Sequence, residues 1–271
     1  MRKYSGVLIA VLMIAALAVT GCGGGDSGDG KLSAQEILDL SSEAMKDITS
    51  IKAVGEYRVK ADIAEEEEMD ISLEMEIDIT NPDKPVGKMI MSGMGEELEM
   101  FFSDGYVYLN APDEGWIKAH AAESQTFQAA TPGEIVRFSD GAENLKIASE
   151  DSGSYEISFD ISDKYFMEQA DMDEDLSELG PEMEKMIQDM LKGINMSAMF
   201  RIAKDTYHVE NADILIEMKD MPMMGSMSLE MTLGFSNFNV PIAVVLPPEA
   251  AGAVEVDDLD DTIPSLPSLG F

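Results

Sequence analysis

Asp70-Ile71-Ser72-Leu73-Glu74-Met75-Glu76-Ile77-Asp78-Ile79-Thr80 alternates without error. Ile71, Leu73, Met75, Ile77 and Ile79 fall on one side of an extended chain, and the acids with Ser72 and Thr80 fall on the other. That is the period-2 signature of an antiparallel strand with one dry face and one wet face. A second such run sets Met227, Leu229, Met231, Leu233 and Phe235 opposite Ser226, Ser228, Glu230 and Thr232. Weaker versions appear at 57–63, 86–91, 98–102, 155–161, 199–204 and 213–218. Between them stand Asn81-Pro82-Asp83, Ser103-Asp104-Gly105, Pro112-Asp113-Glu114-Gly115 and Asp151-Ser152-Gly153. Asp, Asn, Pro and Gly favour the dihedrals and local hydrogen bonds of tight turns, so the runs predict a meander. A sheet of about ten strands has to curl.

Helical spacing precedes this pattern once and interrupts it twice. Ser33-Ala34-Gln35-Glu36 matches a capping box, and Ile37, Leu40, Ala44, Met45, Ile48 and Ile51 follow at helical spacing, which predicts a helix over 34–49. Residues 123–138, with Pro132, Ile135 and Phe138, predict a short helix or lid-like loop. In 162–194, Pro181 sits at a helix start, and Met183, Met186, Ile187, Met190, Leu191 and Ile194 form a stripe. The expected fold class is α+β, a curled antiparallel half-barrel with helices covering its concave face.

The chain has 271 residues, with 53 Asp and Glu against 18 Lys and Arg, for a formal net charge of −35. A polyanion of this kind does not track a nucleic-acid backbone or an anionic lipid surface by charge, so neither is an expected partner. Hydrophobic residues still make up 45% of the chain, enough for a core. The single cysteine excludes a disulfide framework and any multi-cysteine metal site.

That cysteine closes a leader. Arg2 and Lys3 precede an apolar run over 7–19, shorter than the roughly 20 residues a spanning helix needs. Val19-Thr20-Gly21-Cys22 resembles the bacterial lipobox, which implies a signal peptide over 1–21 and acylation of Cys22. The glycine-rich stretch that follows reads as a tether over 22–31. Without Arg2 and Lys3 the remainder is still more acidic, so the Cys22 anchor has to supply membrane attachment. The expected address is the extracytoplasmic face of a cell membrane or outer membrane. Residues 250–271, acidic and containing Pro264 and Pro267 but no basic residue, read as a disordered tail.

Catalytic chemistry finds little support. His120 and His208 stand in no metal or nucleophile signature, and there is no G-x-S-x-G elbow. Asp171, Asp173, Asp175 and Glu182 occupy positions 1, 3, 5 and 12 of a calcium-loop template, but Leu176 replaces the template glycine and Pro181 lies inside the loop. Acids leading into a helix N-terminus explain them equally well. Met221, Met224 and Met227 recur at the spacing of a thioether copper site without a His or Cys beside them, and a turn through Pro222 and Gly225 is the simpler account. The expectation is no metal, no cofactor and no enzymatic activity. The 22 methionines are either core filler or, being flexible and polarizable, the lining of a hollow that accepts ligands of varied shape.

The lipobox, glycine tether, capped helix and hairpins containing Ser103-Asp104-Gly105-Tyr106-Val107-Tyr108 and Gly115-Trp116-Ile117-Lys118 resemble the LolA-like lipoprotein superfamily, particularly its LppX/LprG type. The closing Phe235-Ser236-Asn237-Phe238-Asn239-Val240-Pro241-Ile242, running on to Leu246-Pro247-Pro248-Glu249, is similar to the way those domains end. The resemblance covers 32–249. It implies a half-barrel cavity that holds the acyl chains of lipids or lipoproteins. The residues expected to line it are Ile71, Leu73, Met75, Ile77, Met183, Met186, Ile187, Met190, Leu229, Met231 and Leu233. The other reading of the same chain is a structural or sensory envelope module with a filled core, acting through protein contacts.

Overall fold

The computed structural model describes residues 31–62, 66–81, 83–93, 95–111, 115–121, 141–162, 164–165, 193–221 and 225–256. The body, Ala34–Phe271, is a unit distinct from Met1–Ser33.

A helix, α1 (Ala34–Lys46), opens it and buries Ile37, Leu38, Ser41 and Met45. It packs against the strand β7 (Ala142–Glu150). The helix ends before the expected residue 49: Ile48 donates its N–H to the Met45 carbonyl, and Asn239 Oδ1 accepts the Thr49 N–H at 2.8 Å. That side chain pins the chain where it turns extended. Ile51, which fits the helical spacing, is therefore the first inward residue of β1 (Ser50–Asp62).

Eleven further strands complete one sheet: β2 (Glu66–Asp78), β3 (Val86–Gly93), β4 (Glu96–Ser103), β5 (Tyr106–Ala111), β6 (Gly115–His120), β7, β8 (Ser154–Ile161), β9 (Ile194–Ala203), β10 (Val209–Met221), β11 (Gly225–Ser236) and β12 (Val254–Glu255). Their order is β12-β6-β5-β4-β3-β2-β1-β11-β10-β9-β8-β7, open at both ends among the described residues. The sheet is thus two meanders, β1 to β6 and β7 to β11, joined by the antiparallel pair β1 and β11. Every pairing is antiparallel except the short parallel one of β12 on β6.

The sheet has twelve strands where about ten were expected. β7 carries no alternation because most of its residues are exposed on both sides. β12 and the 3-10 turn Pro248–Gly252 come from the stretch expected to open the acidic tail: Val254 and Glu255 lie beside Ile117 and Lys118, with a Lys118–Glu255 ion pair at 3.2 Å. Ile194 is another correction. It begins β9, whose inward row is Ile194, Met196, Ala198, Phe200 and Ile202, and does not end a helical stripe. Where several helices were expected over one face, the described residues hold one long helix, α1. Residues 123–138, nearly all of the 162–194 helix and the tail beyond 256 lie outside the described residues.

The turn chemistry works as its residues dictate. Asp104 and Gly105 take positive φ, 54° and 85°, in the two-residue connection between Ser103 and Tyr106. That geometry matches the strand twist and suits Asp-Gly.

Candidate ligand surface

The register sorts the dry face of the sheet into rows that run across the strands. Ile51, Ile77, Gly87, Phe102, Val107 and Ala119 stand side by side from β1 to β6, and all are buried. The next row, Ala53, Met75, Met89, Met100, Leu109 and Ile117, is buried too, with Phe235 on the β11 side. Beyond it the face divides. On β8 to β11 the face keeps Ile157, Phe200, Ala212, Ala198, Ile214 and Met231 buried, while Leu233 and Ile216 are half-buried. On β1 to β4 it opens: Leu73, Met91 and Leu98, then Tyr57 and Ile71, then Val59 and Met69 are only half-buried. These seven side chains are neighbours by register and form one continuous patch.

Tyr57 is the only hydroxyl in that patch. A Cβ built on Gly55 lies 2.6 Å from Leu233 Cδ2 and 3.5 Å from Tyr57 Cε2, so the bare glycine is what lets both side chains lean over β1. Burial pushes the Tyr57 phenol above its ordinary pKa, with no charge or hydrogen bond opposing the shift. Its hydroxyl has no hydrogen-bond partner among the described residues. Its oxygen is still accessible to water, unlike the unpaired Ser41 and Ser158 hydroxyls, so an apolar ligand that covers it without a hydrogen bond forfeits about 1–3 kcal/mol.

The opposite face is wet and charged. Arg58 stands in register between Asp70 and Glu230, with its Nε 3.0 Å from Asp70 and 3.1 Å from Glu68, and its Nη1 3.5 Å from Glu230. Lys60 shares Glu230, and Lys88 pairs with Glu99 at 2.7 Å. Arg201 reaches Asp151, Glu156 and Glu210. The Asp151 carboxyl is held far below the usual carboxylate range by the N–H groups of Gly153 and Ser154 and then by Arg201. A groove of about 580 Å³ crosses this face from Asn144 and Lys146 to Glu230 and Thr232, over Ser158, Met199 and Leu215. Its acids are already engaged: Asn144 donates to Asp160 at 3.0 Å, Thr232 donates to Asp213 at 3.0 Å, and Glu230 accepts from Arg58 and Lys60.

The two histidines stand apart in packing roles. His120 stacks on Tyr106 with ring centroids 4.5 Å apart, beside Lys118 over the same ring. His208 packs on Phe238, and its pKa is lowered by burial while Asp205 opposes the shift. Among the described residues no group of three or more His, Cys, Asp or Glu side chains is placed to hold a metal ion. Asp171, Asp173, Asp175 and Glu182 lie outside the described residues, as does Met224. Met221 ends β10, and Met227 lies half-buried on β11.

Of the residues expected to line a cavity, Ile71, Leu73 and Leu233 are half-buried on the dry face. Met75, Ile77, Leu229 and Met231 share that face but are buried in the core. Met183, Met186, Ile187 and Met190 lie outside the described residues, and so does Cys22. Tyr57, Val59, Met69, Met91 and Leu98 were not among the expected residues. Their own signal was present, since Tyr57, Val59 and Ala61 alternate with Glu56, Arg58 and Lys60.

A family model described as "Family of unknown function (DUF6612)" matches residues 33–254, from the residue before α1 to β12. The chain belongs to this family. No curated protein matches this DUF6612 member significantly. Among solved structures it is similar to a LolA superfamily protein from Nitrosomonas europaea, at 11% identity over 79% of this chain and 96% of that one, with a TM-score of 0.26. A Vibrio parahaemolyticus domain described as an outer membrane lipoprotein-sorting protein matches at 10% identity over 78% and 95%, with a TM-score of 0.30. A DUF1329 family protein from Desulfovibrio piger matches at 9% over 79% and 96%, with a TM-score of 0.26. At such scores the architecture of the DUF6612 chain rests on its own strands. No helix among the described residues is long and apolar enough to cross a membrane.

Proposed function

We propose that this protein is an extracytoplasmic lipoprotein, attached through acylated Cys22 to a cell membrane or outer membrane, that binds or carries the acyl chains of a lipid or lipoprotein on the half-buried part of its sheet. In this reading it is a carrier of the LolA-like, LppX/LprG kind and not an enzyme, and the sheet acts as a half-barrel. The observation that carries the reading is the contrast within one dry face. Rows of identical chemistry are fully buried at one end, while Leu73, Met91, Leu98, Ile71, Tyr57, Val59 and Met69 are left half-buried together. Covering such a patch with an acyl chain stabilises the complex by about 25 cal/mol per Å² of apolar surface removed from water. Met69 and Met91 suit it, because thioether side chains adapt to chains of varied length and kink.

The acidity supports the same reading as a solvating coat. On β2 Asp70, Glu74, Glu76 and Asp78 fall on the face opposite the patch, where they solvate the protein without crowding the apolar surface.

Organic extraction tests the proposal. The full chain carrying Cys22→Ser, purified without detergent, yields stoichiometric lipid by mass spectrometry. Repeated preparations that give neither lipid nor uptake of a fluorescent fatty acid overturn it. A second reading, an envelope module acting through protein contacts, is favoured by Val245, 87% exposed, and Val240, 47% exposed, on the extended segment after β11. It predicts a lipid-free protein whose stability is indifferent to fatty acids.

A further inference from the structure

We infer that the Tyr57 hydroxyl is the polar anchor of the apolar site, donating a hydrogen bond to a carbonyl oxygen at the head of a single-chain amphiphile, either a fatty acid or an acyl ester. The inference rests on the proposed ligand surface and adds to it the chemical class of the head group. Tyr57 occupies the middle row of the half-buried patch, between Ile71 on β2 and Met231 on β11. The patch residues on either side of it, Leu73, Met91 and Leu98 in one row and Val59 and Met69 in the other, are apolar and offer a ligand nothing but van der Waals contact. Among the seven residues of the patch the phenol is the one directional group.

Three observations converge on a donor role. The hydroxyl has no protein partner among the described residues and stays accessible to solvent, so it is free to bond a ligand. The raised pKa keeps it protonated over the whole working range of pH, so it is a donor and carries no charge that would repel a carboxylate. The ring edge lies over the bare Gly55 backbone, in space a side chain there would enter, so the ring is half-buried before a ligand arrives and less freedom is lost when the hydroxyl bonds. A purely alkyl ligand leaves this donor unsatisfied. A chain headed by a carbonyl satisfies it while the tail lies along Ile71, Leu73 and Val59.

The test titrates the full chain carrying Cys22→Ser, with and without Tyr57→Phe, with three fluorescent probes. These are cis-parinaric acid, its methyl ester, and 1,6-diphenylhexatriene, which has no polar head. Loss of one neutral hydrogen bond weakens binding about five- to tenfold. That loss is expected for the acid, the ester or both, and which of them responds identifies the head, while diphenylhexatriene stays within about twofold of its starting affinity. Circular dichroism and thermal unfolding of Tyr57→Phe check that the sheet is intact, and a Tm equal to or above that of the parent is expected. Equal affinities of the two proteins for acid and ester overturn the anchor and leave the apolar site standing. A parallel loss for all three probes also overturns it, because Tyr57 then only packs. Failure of the parent protein to bind any probe overturns the ligand surface itself.

Discussion

Ile77 and Leu73 lie on the same strand, on the same face, four residues apart, yet one is sealed and the other half-open. The row through Ile77 runs into Phe102, Val107 and Ala119, all buried, and behaves as a hydrophobic core. The row through Leu73 runs into Met91 and Leu98, both half-buried. Chemistry does not separate the two regions, since both are built mainly from aliphatic and methionine side chains with an aromatic ring among them. Depth along the strand does. One end of the sheet stabilises the fold, and the other offers apolar surface that the fold does not use.

The sharpest way to break this comparison is truncation at both ends. Ile77→Ala removes fully buried methylenes and should cost about 2–5 kcal/mol in urea unfolding, whereas Leu73→Ala should cost about 1 kcal/mol or less. Equal losses would erase the distinction. Leu73→Arg sharpens it from the other side: the long side chain can lift its charge to water, so the expected change in unfolding midpoint is small, while cis-parinaric acid affinity falls by about tenfold or more. Unchanged affinity would move the ligand surface elsewhere.

Two smaller effects probe the sealed end, where the turns between β7 and β8 and between β9 and β10 lie. Asp151 is depressed by the Gly153 and Ser154 N–H groups and by Arg201. Its contribution is therefore complete above the ordinary carboxylate pKa of about 4 and is lost as pH falls below it. Asp151→Asn should flatten the acid limb of the stability curve below that value. His208 is shifted the other way relative to its charge, because burial disfavours the imidazolium. Stability should fall as pH drops below about 6.5, and His208→Phe should remove that part of the slope between about pH 7 and 5. A slope unchanged in His208→Phe would mean that the ring is solvated. The least effect is expected at Ser41, whose buried Oγ has no hydrogen-bond partner among the described residues. Ser41→Ala should raise stability by about 0.5–1 kcal/mol, by removing an unpaired hydroxyl and improving helix propensity.

Much of this architecture is legible in the residues, and the part that is not has a physical reason. Alternation on β2 and β11 fixes which side chains face inward, and Asp-Gly at 104–105 fixes a hairpin. Alternation has period 2 and no information about depth, so Met75 and Ile77 read the same as Ile71 and Leu73 although only the first two are buried. Strands exposed on both sides, such as β7, give no periodic signal at all. At the junctions apolar spacing fits either structure: Ile51 continues the helical stripe of α1 and Ile194 that of 183–191, yet each begins a strand once its cross-strand partner, Ile77 or Met218, is in register. Tyr57 was visible as a strand residue, but its lack of a hydrogen-bond partner depends on what surrounds it in three dimensions.

Photo-crosslinking tests the central claim most directly. Palmitic acid carrying a diazirine in its chain, irradiated with the full Cys22→Ser protein and mapped by peptide mass spectrometry, is predicted to label Val59, Met69, Ile71, Leu73, Met91 and Leu98. Labelling confined to the charged face or to the extended segment around Val245, or no labelling above that of unfolded protein, would contradict the account.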